Sequence, residues 1–160
     1  MSTPLLKVDN LVQHFRVSRS YTAGGPEALI DDRRGGLNWR TGGWQGYQGV
    51  DFEAVIDLRE DRDIRLVGAG FCQDARSWIW MPSKVVFDVS TDGEIWSEAA
   101  SAATTVAPDD MTVQIWNCEI PVSIRARYVR VRAANPGPIP SWHPGAGSPS
   151  FIFIDEITVR

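Results

Sequence analysis

Apolar and polar positions alternate most cleanly at residues 52–58. Phe52, Ala54, Ile56 and Leu58 share one face and Glu53 and Asp57 the other, with Asp51 just ahead in phase. A period of two is that of a half-buried β-strand. The same alternation returns at Val85, Phe87 and Val89 against Val86, Asp88 and Ser90. It returns again at Val113 and Ile115 against Gln114 and Trp116, and at Val129 and Val131 against Tyr128, Arg130 and Arg132. These patterns predict strands over residues 52–58, 64–72, 85–90, 111–120, 126–133 and 151–159, with Ile95 and Trp96 opening a return strand.

Between them, Arg59-Glu-Asp-Arg-Asp reads as a charged turn, and Ser90-Thr-Asp-Gly-Glu as a hairpin signal, because Asp and Gly accept left-handed backbone. Residues 99–110 are small and polar and read as a loop with one helical turn, and residues 135–149 as a long loop in which prolines remove donors and fix φ. With no amphipathic helix in the pattern, the expected class is an all-β sandwich. Residues 1–20 read as an edge strand or extension, and residues 21–160 as the sandwich.

Residues 28–50 lie directly before the clearest strand and are rich in glycine, acidic side chains and tryptophan. A covered sheet with such a loop at its end suggests a scaffold carrying a binding surface. The chain of 160 residues has 20 acidic against 16 basic side chains, a net charge of -4, which argues against nucleic acid as a partner. No apolar run reaches membrane-spanning length, so no membrane insertion is expected. Cys72 and Cys118 lack zinc-site spacing and are read either as two buried thiols or as one disulfide. No phosphate-binding glycine loop follows the opening segment, and His14 there has no partner that would make it a catalytic base. Arg125, Arg127, Arg130 and Arg132 read as a solvated sheet face laced with carboxylates.

Several segments carry a resemblance, in order along the chain: Ala28-Leu-Ile-Asp with Trp44-Gln-Gly-Tyr, Val55-Ile-Asp-Leu, Ser77-Trp-Ile-Trp-Met-Pro, Val89-Ser-Thr-Asp-Gly, Ala126-Arg-Tyr-Val-Arg-Val, Pro140-Ser-Trp-His-Pro-Gly-Ala-Gly and Phe153-Ile-Asp-Glu-Ile. From residue 21 onward the chain resembles a discoidin or coagulation factor 5/8 C-type domain, and within that group the domain at the C-terminus of bacterial family 20 β-hexosaminidases. The resemblance implies an eight-stranded jelly-roll β-sandwich of the galactose-binding type, ligand-binding loops at one end, no catalysis, a structural calcium ion, and an extracellular or periplasmic setting. The chain itself opens without a signal-peptide apolar core.

On that reading the implied partner is a glycan of galactose or N-acetylhexosamine type, with a glycosidase catalytic domain as a neighbour. Sugar recognition needs an apolar platform and planar polar groups, which selects Arg40, Trp44, Gln45, Trp78, Trp142 and His143 as contacts. The calcium expectation falls on the carboxylates of Asp31 and Glu156, with carbonyls of Ala28 and Gly36, since calcium takes six to eight hard oxygens. Asp32 stands where the family pattern commonly has glycine. A structural or protein-interaction domain without sugar binding, and an independent hydrolase, stand as the other readings. The last lacks a partnered nucleophile or carboxylate pair.

Overall fold

A computed structural model describes residues 10–13, 21, 23, 26–31 and 33–160. Among the described residues there are seven strands: β1 (Asn10–Gln13), β2 (Gln45–Gln48), β3 (Phe52–Gln73), β4 (Val85–Ser90), β5 (Ser97–Ala102), β6 (Gln114–Ala133) and β7 (Phe151–Val159). Every pairing between them is antiparallel, in the order β2-β7-β3-β6-β4-β5, with β1 on β3. Of the opening segment, Asn10–Gln13 pairs with residues 54–57 of β3. His14 and the departure at Asp32 lie outside the described residues.

β3 and β6 each run through both layers of the sandwich, which is why one hydrogen-bonded path joins all the strands. Their first and second halves pack on each other: Phe52, Ala54 and Ile56 share a core with Ala69 and Phe71, and Val129 and Val131 with Cys118. This corrects two sequence expectations. The charged residues 59–63 do not separate two strands but form the bend of β3, where pairing with β6 shifts between Asp57 and Arg62 and Arg59 adopts φ 75°. Likewise residues 111–120 and 126–133 belong largely to one strand, β6, which bends where Pro121 stands opposite Leu66 beside a second register shift. A proline is tolerated there because the bulge has no ladder bond for its missing N–H to make.

Two further differences concern the β4–β5 hairpin. Its turn is wider than a two-residue one: Ser90 Oγ accepts N–H groups from Asp92 and Gly93, and Asp92 Oδ1 accepts those of Glu94 and Ile95. The return strand then begins at Ser97 and runs to Ala102, through small residues expected to form a loop. These alanines are half-buried against the core, so pairing with β4 rather than side-chain bulk fixes them.

Because β3 and β6 fold back on themselves, Phe52, Gln73, Gln114 and Ala133 all finish at one end of the sandwich. The segments that leave these ends, residues 74–84 and 134–150 among them, converge there. Cys72 lies opposite Ile115 and Cys118 opposite Ala69, on opposite faces of the sheet; both are free buried thiols.

Candidate functional site

The loop end is built on a short bridge in which Asp74 N–H donates to Ile79 O at 3.0 Å and Ile79 N–H to Asp74 O at 3.1 Å. Within it, residues Ala75–Ser77 make one tight turn, and Trp78 closes it in the left-handed region at φ 70°. A non-glycine residue there costs roughly 1–2 kcal/mol. The surroundings enforce it: Trp78 N–H donates to Ala75 O at 3.2 Å and Trp78 O accepts Phe151 N–H at 2.8 Å. The conformation turns the indole outward, 36% exposed, against Gly145, where any Cβ would come within 2.7 Å of Trp78 Cε2.

His143 fixes the long late loop to this turn. It is buried, its Nδ1 accepts Gly145 N–H at 2.9 Å, and its Nε2 lies 2.7 Å from Ala75 O, so the proton sits on Nε2 and donates. With both nitrogens engaged, His143 positions the loop and presents nothing to a ligand, which corrects its expected role as a contact. Trp80 and Trp142 both pack on its ring, with centroids 5.3 and 5.8 Å away. Trp142 nevertheless remains 50% exposed.

A second chain of contacts brings Arg40 to the same turn. The buried Asp74 carboxylate accepts Trp39 Nε1–H at 2.9 Å and Ser77 Oγ–H at 3.1 Å through the same Oδ2. Ser77 Oγ in turn accepts from Arg40 Nη2 at 3.3 Å, while the Arg40 guanidinium lies 4.2 Å over the Trp39 ring. Arg40 is thus held at one nitrogen and by stacking, and it is exposed. Asp74, Ser77 and Trp39 were not among the residues picked from sequence. Asp74 and Ser77 sit three apart in a polar stretch, a local signal, but Trp39 lies 35 residues away.

Trp44 and Gln45 point the other way, a second correction. Trp44 is 1% exposed, donates Nε1–H to Gly36 O at 3.0 Å, and fills a small core with Trp39, Cys72, Ile79 and Phe153. Gln45 is buried and its Oε1 accepts Tyr47 O–H at 3.0 Å. β2 explains both: its pairing with β7 makes Gln45 and Tyr47 alternate with Gly46, so what reads as a glycine loop is in part a strand whose side chains are spent on packing.

Of the expected calcium donors, Ala28, Asp31 and Gly36 line one cleft of about 290 Å³, and Glu156 is buried in β7 away from that lining. Arg33 and Arg34 line it too, Asp31 Oδ1 already accepts Arg33 N–H, and among the described residues no three His, Cys, Asp or Glu side chains gather. Calcium takes six to eight oxygens, backbone carbonyls among them, and what this cleft supplies is the Asp31 carboxylate with the neighbouring backbone, Glu156 lying outside its lining. The nearby buried acid, Asp155, accepts Gly35 N–H at 2.9 Å on Oδ2, while its Oδ1 has no hydrogen-bond partner among the described residues and lies 3.9 Å from the Arg34 guanidinium. Burial pushes its carboxyl above the usual carboxylate range against these two lowering influences.

In chemical terms the loop end offers two exposed indoles and a cation, while its serine proton is donated to Asp74 and its imidazole is fully bonded. That inventory suits binding rather than proton transfer. The class so defined is an antiparallel β-sandwich domain with an aromatic platform on the loops at one end. The family model for the F5/8 type C domain matches residues 14–152, and the chain belongs to that family. Searching curated proteins gives no match.

Solved structures share the fold. The CBM32 of AlyQ in complex with 4,5-unsaturated mannuronic acid superposes with a TM-score of 0.58 at 14% identity, covering 99% of this chain and 98% of that one. Truncated AlyQ with CBM32 and alginate lyase domains gives 0.54 at 15% identity, over 98% of this chain and 32% of that one. Chitosan-binding module 1 of a chitosanase/glucanase from Paenibacillus sp. IK-5 gives 0.56 at 15% identity, covering 99% of each.

Proposed function

We propose that this domain is a non-catalytic carbohydrate-binding module that holds a glycan of galactose or N-acetylhexosamine type on Trp78 and Trp142, with Arg40 fixing hydroxyls at the platform's side. One observation carries the reading: Trp39, Trp44 and Trp80 are at most 8% exposed, whereas Trp78 and Trp142 stand 36% and 50% exposed on adjoining loops. Trp78 moreover reaches that position through a strained backbone, the kind of cost that persists where a side chain must be aimed. An indole offers an apolar face to the C–H side of a pyranose ring, and a guanidinium supplies planar donors to its hydroxyls. The AlyQ module in complex with 4,5-unsaturated mannuronic acid and the chitosan-binding module, both of this fold, support the same reading. Since the AlyQ module is joined to an alginate lyase domain, we extend the proposal to a role in tethering a polysaccharide-degrading catalytic domain to its substrate.

Affinity for a single sugar is modest, because so shallow a surface buries little area against the ordering cost. Calorimetric titration of the full chain with galactose, N-acetylgalactosamine and N-acetylglucosamine tests the proposal. Binding to at least one, lost in Trp142→Ala, is expected; no heat with any of them, and no retention on immobilised glycans, would leave a packing or protein-interaction domain as the reading.

A further inference from the structure

The outer face of the β3-β6-β4-β5 layer carries a second set of aromatic and polar groups. Register places Glu53, Arg132 and Val86 in one row, Val55, Arg130 and Asp88 in the next, and Asp57, Tyr128 and Ser90 in the third. The intervening residues, Phe52, Ala54, Phe87, Val129 and Val131, are in the core, so these rows face outward.

Two clefts lie along the rows, of about 430 and 420 Å³, and they share Glu53. One has Trp96, Tyr128 and Arg130 in its wall and the other Lys84 and Arg132. From Tyr128 to Arg132 along β6 is roughly 13 Å at the ordinary rise of a strand, room for two or three sugar units.

The floor is preorganised. Asp88, 3% exposed, accepts Arg130 Nε–H at 2.9 Å and Arg132 Nε–H at 2.7 Å on the same Oδ2, and Arg132 Nη2–H at 3.3 Å on Oδ1. Arg130 is held by its inner nitrogen, and its guanidinium lies 4.5 Å over the Trp96 ring, so its terminal nitrogens are left for other acceptors among the described residues. Stacking on Trp96 explains where that indole sits, but it leaves those donors unspent beside a cleft. A flat guanidinium fixed at Nε with its outer edge open is the form in which arginine recognises oxygen acceptors.

Charge decides the class of ligand. Among the described residues, Asp51, Glu53, Asp92 and Glu98 line the clefts against the three cations named, with the Asp88 carboxylate behind them. This excess of carboxylate repels a polyanion, while acceptors and donors alternating beside an indole suit the hydroxyls of an uncharged chain.

We infer that this sheet face is a second glycan site, which takes a neutral oligosaccharide lengthwise between Trp96 and Lys84, independently of the loop platform.

The test is a ¹H–¹⁵N NMR titration of the full chain with cellohexaose and with mannohexaose, and with polygalacturonate as the anionic control. Expected are shifts at Val55, Arg130 and the Trp96 indole with at least one neutral hexasaccharide, retained in Trp142→Ala and weakened at least tenfold in Trp96→Ala. Should Trp96→Ala lose its fold, Val55→Gln, which fills the cleft from a half-exposed floor position, carries the same expectation. Absence of shifts on this face with both neutral chains, equal shifts with polygalacturonate, or loss of these shifts in Trp142→Ala would overturn the second site. Shifts confined to the loop end would overturn the second site and leave the loop platform standing, and shifts confined to the sheet face would support the second site, the platform being tested separately by galactose and N-acetylhexosamines.

Discussion

His143 Nε2 donates a 2.7 Å hydrogen bond to the carbonyl of Ala75, 68 residues earlier, and this bond ties the late loop to the turn that presents Trp78. The imidazole also accepts Gly145 N–H, so a single side chain sets the relative position of the two exposed indoles. Replacing it by alanine leaves the buried Gly145 amide unpaired, at about 1–3 kcal/mol if it finds no water, and leaves the Ala75 carbonyl with only its bond from Trp78 N–H. His143→Ala should lower the midpoint of thermal unfolding by several degrees and weaken glycan binding, although the residue touches no ligand. A differential scanning measurement paired with calorimetry checks both; a variant that binds as wild type would show that the two loops hold their places without it.

Gly145 makes the complementary case. Its Cβ position is occupied by the Trp78 ring, at 2.7 Å from Cε2 and 2.8 Å from Nε1. Gly145→Ala should therefore push the indole off its seat and reduce affinity, with stability changed by less than about 1–2 kcal/mol, because the ring is at the surface and can yield. Tryptophan fluorescence should report the displaced ring; an unaltered spectrum with unaltered affinity would contradict this packing.

How much of this was legible beforehand differs between fold and site. Strands with strict alternation, such as residues 52–58 and 85–90, were readable because one face is buried and the other not. The bend of β3 was not, since five charged residues in a row look the same in a turn as in a strand crossing the rim of a sandwich. At the site, Arg40, Trp78 and Trp142 could be picked as residues of a loop region, but the inward turn of Trp44 and Gln45 depends on β2 pairing with β7 across more than a hundred residues. The Asp74 carboxylate, which accepts from Trp39 and Ser77 and through Ser77 holds Arg40, escaped for the same reason: its main partner is set by tertiary contact.

The bidentate pair of Asp57 with Arg127, at 2.8 and 3.0 Å, gives the acid limb of stability a specific origin. The Arg127 hydrogen bonds, joined by Arg59 N–H, hold the Asp57 carboxyl below its ordinary value despite burial. A carboxyl whose folded value is depressed stabilises fully above its unfolded value of about 3.9, and that contribution is lost as pH falls through the folded value. Asp155, raised by burial, has the opposite sign: its contribution is greatest in acid and declines as pH rises through its folded value. Urea unfolding of Asp57→Asn at pH 6 and pH 3 should show a smaller loss between the two than wild type shows. An equal or larger loss would assign the acid limb elsewhere.

Burial pushes the Cys72 thiol up to about 12 and that of Cys118 to about 11. Since the thiolate is the reactive form, neither should react with Ellman's reagent in the native protein at pH 8, and both should react after unfolding in guanidinium. Rapid native labelling of either would place it at the surface; no labelling after unfolding without reductant would indicate a disulfide.

The central claim separates tryptophans that bind from tryptophans that fold, and Trp142→Ala tests it most directly when affinity and thermal stability are measured on the same preparation. Losing the stacking surface should cost about 1.5–3 kcal/mol of binding, roughly ten- to a hundredfold in Kd for the best monosaccharide ligand, with the unfolding midpoint nearly unmoved. Trp44→Ala, by contrast, should cost about 3–5 kcal/mol of stability. Unchanged affinity in Trp142→Ala, beside a large drop in its stability, would contradict the account.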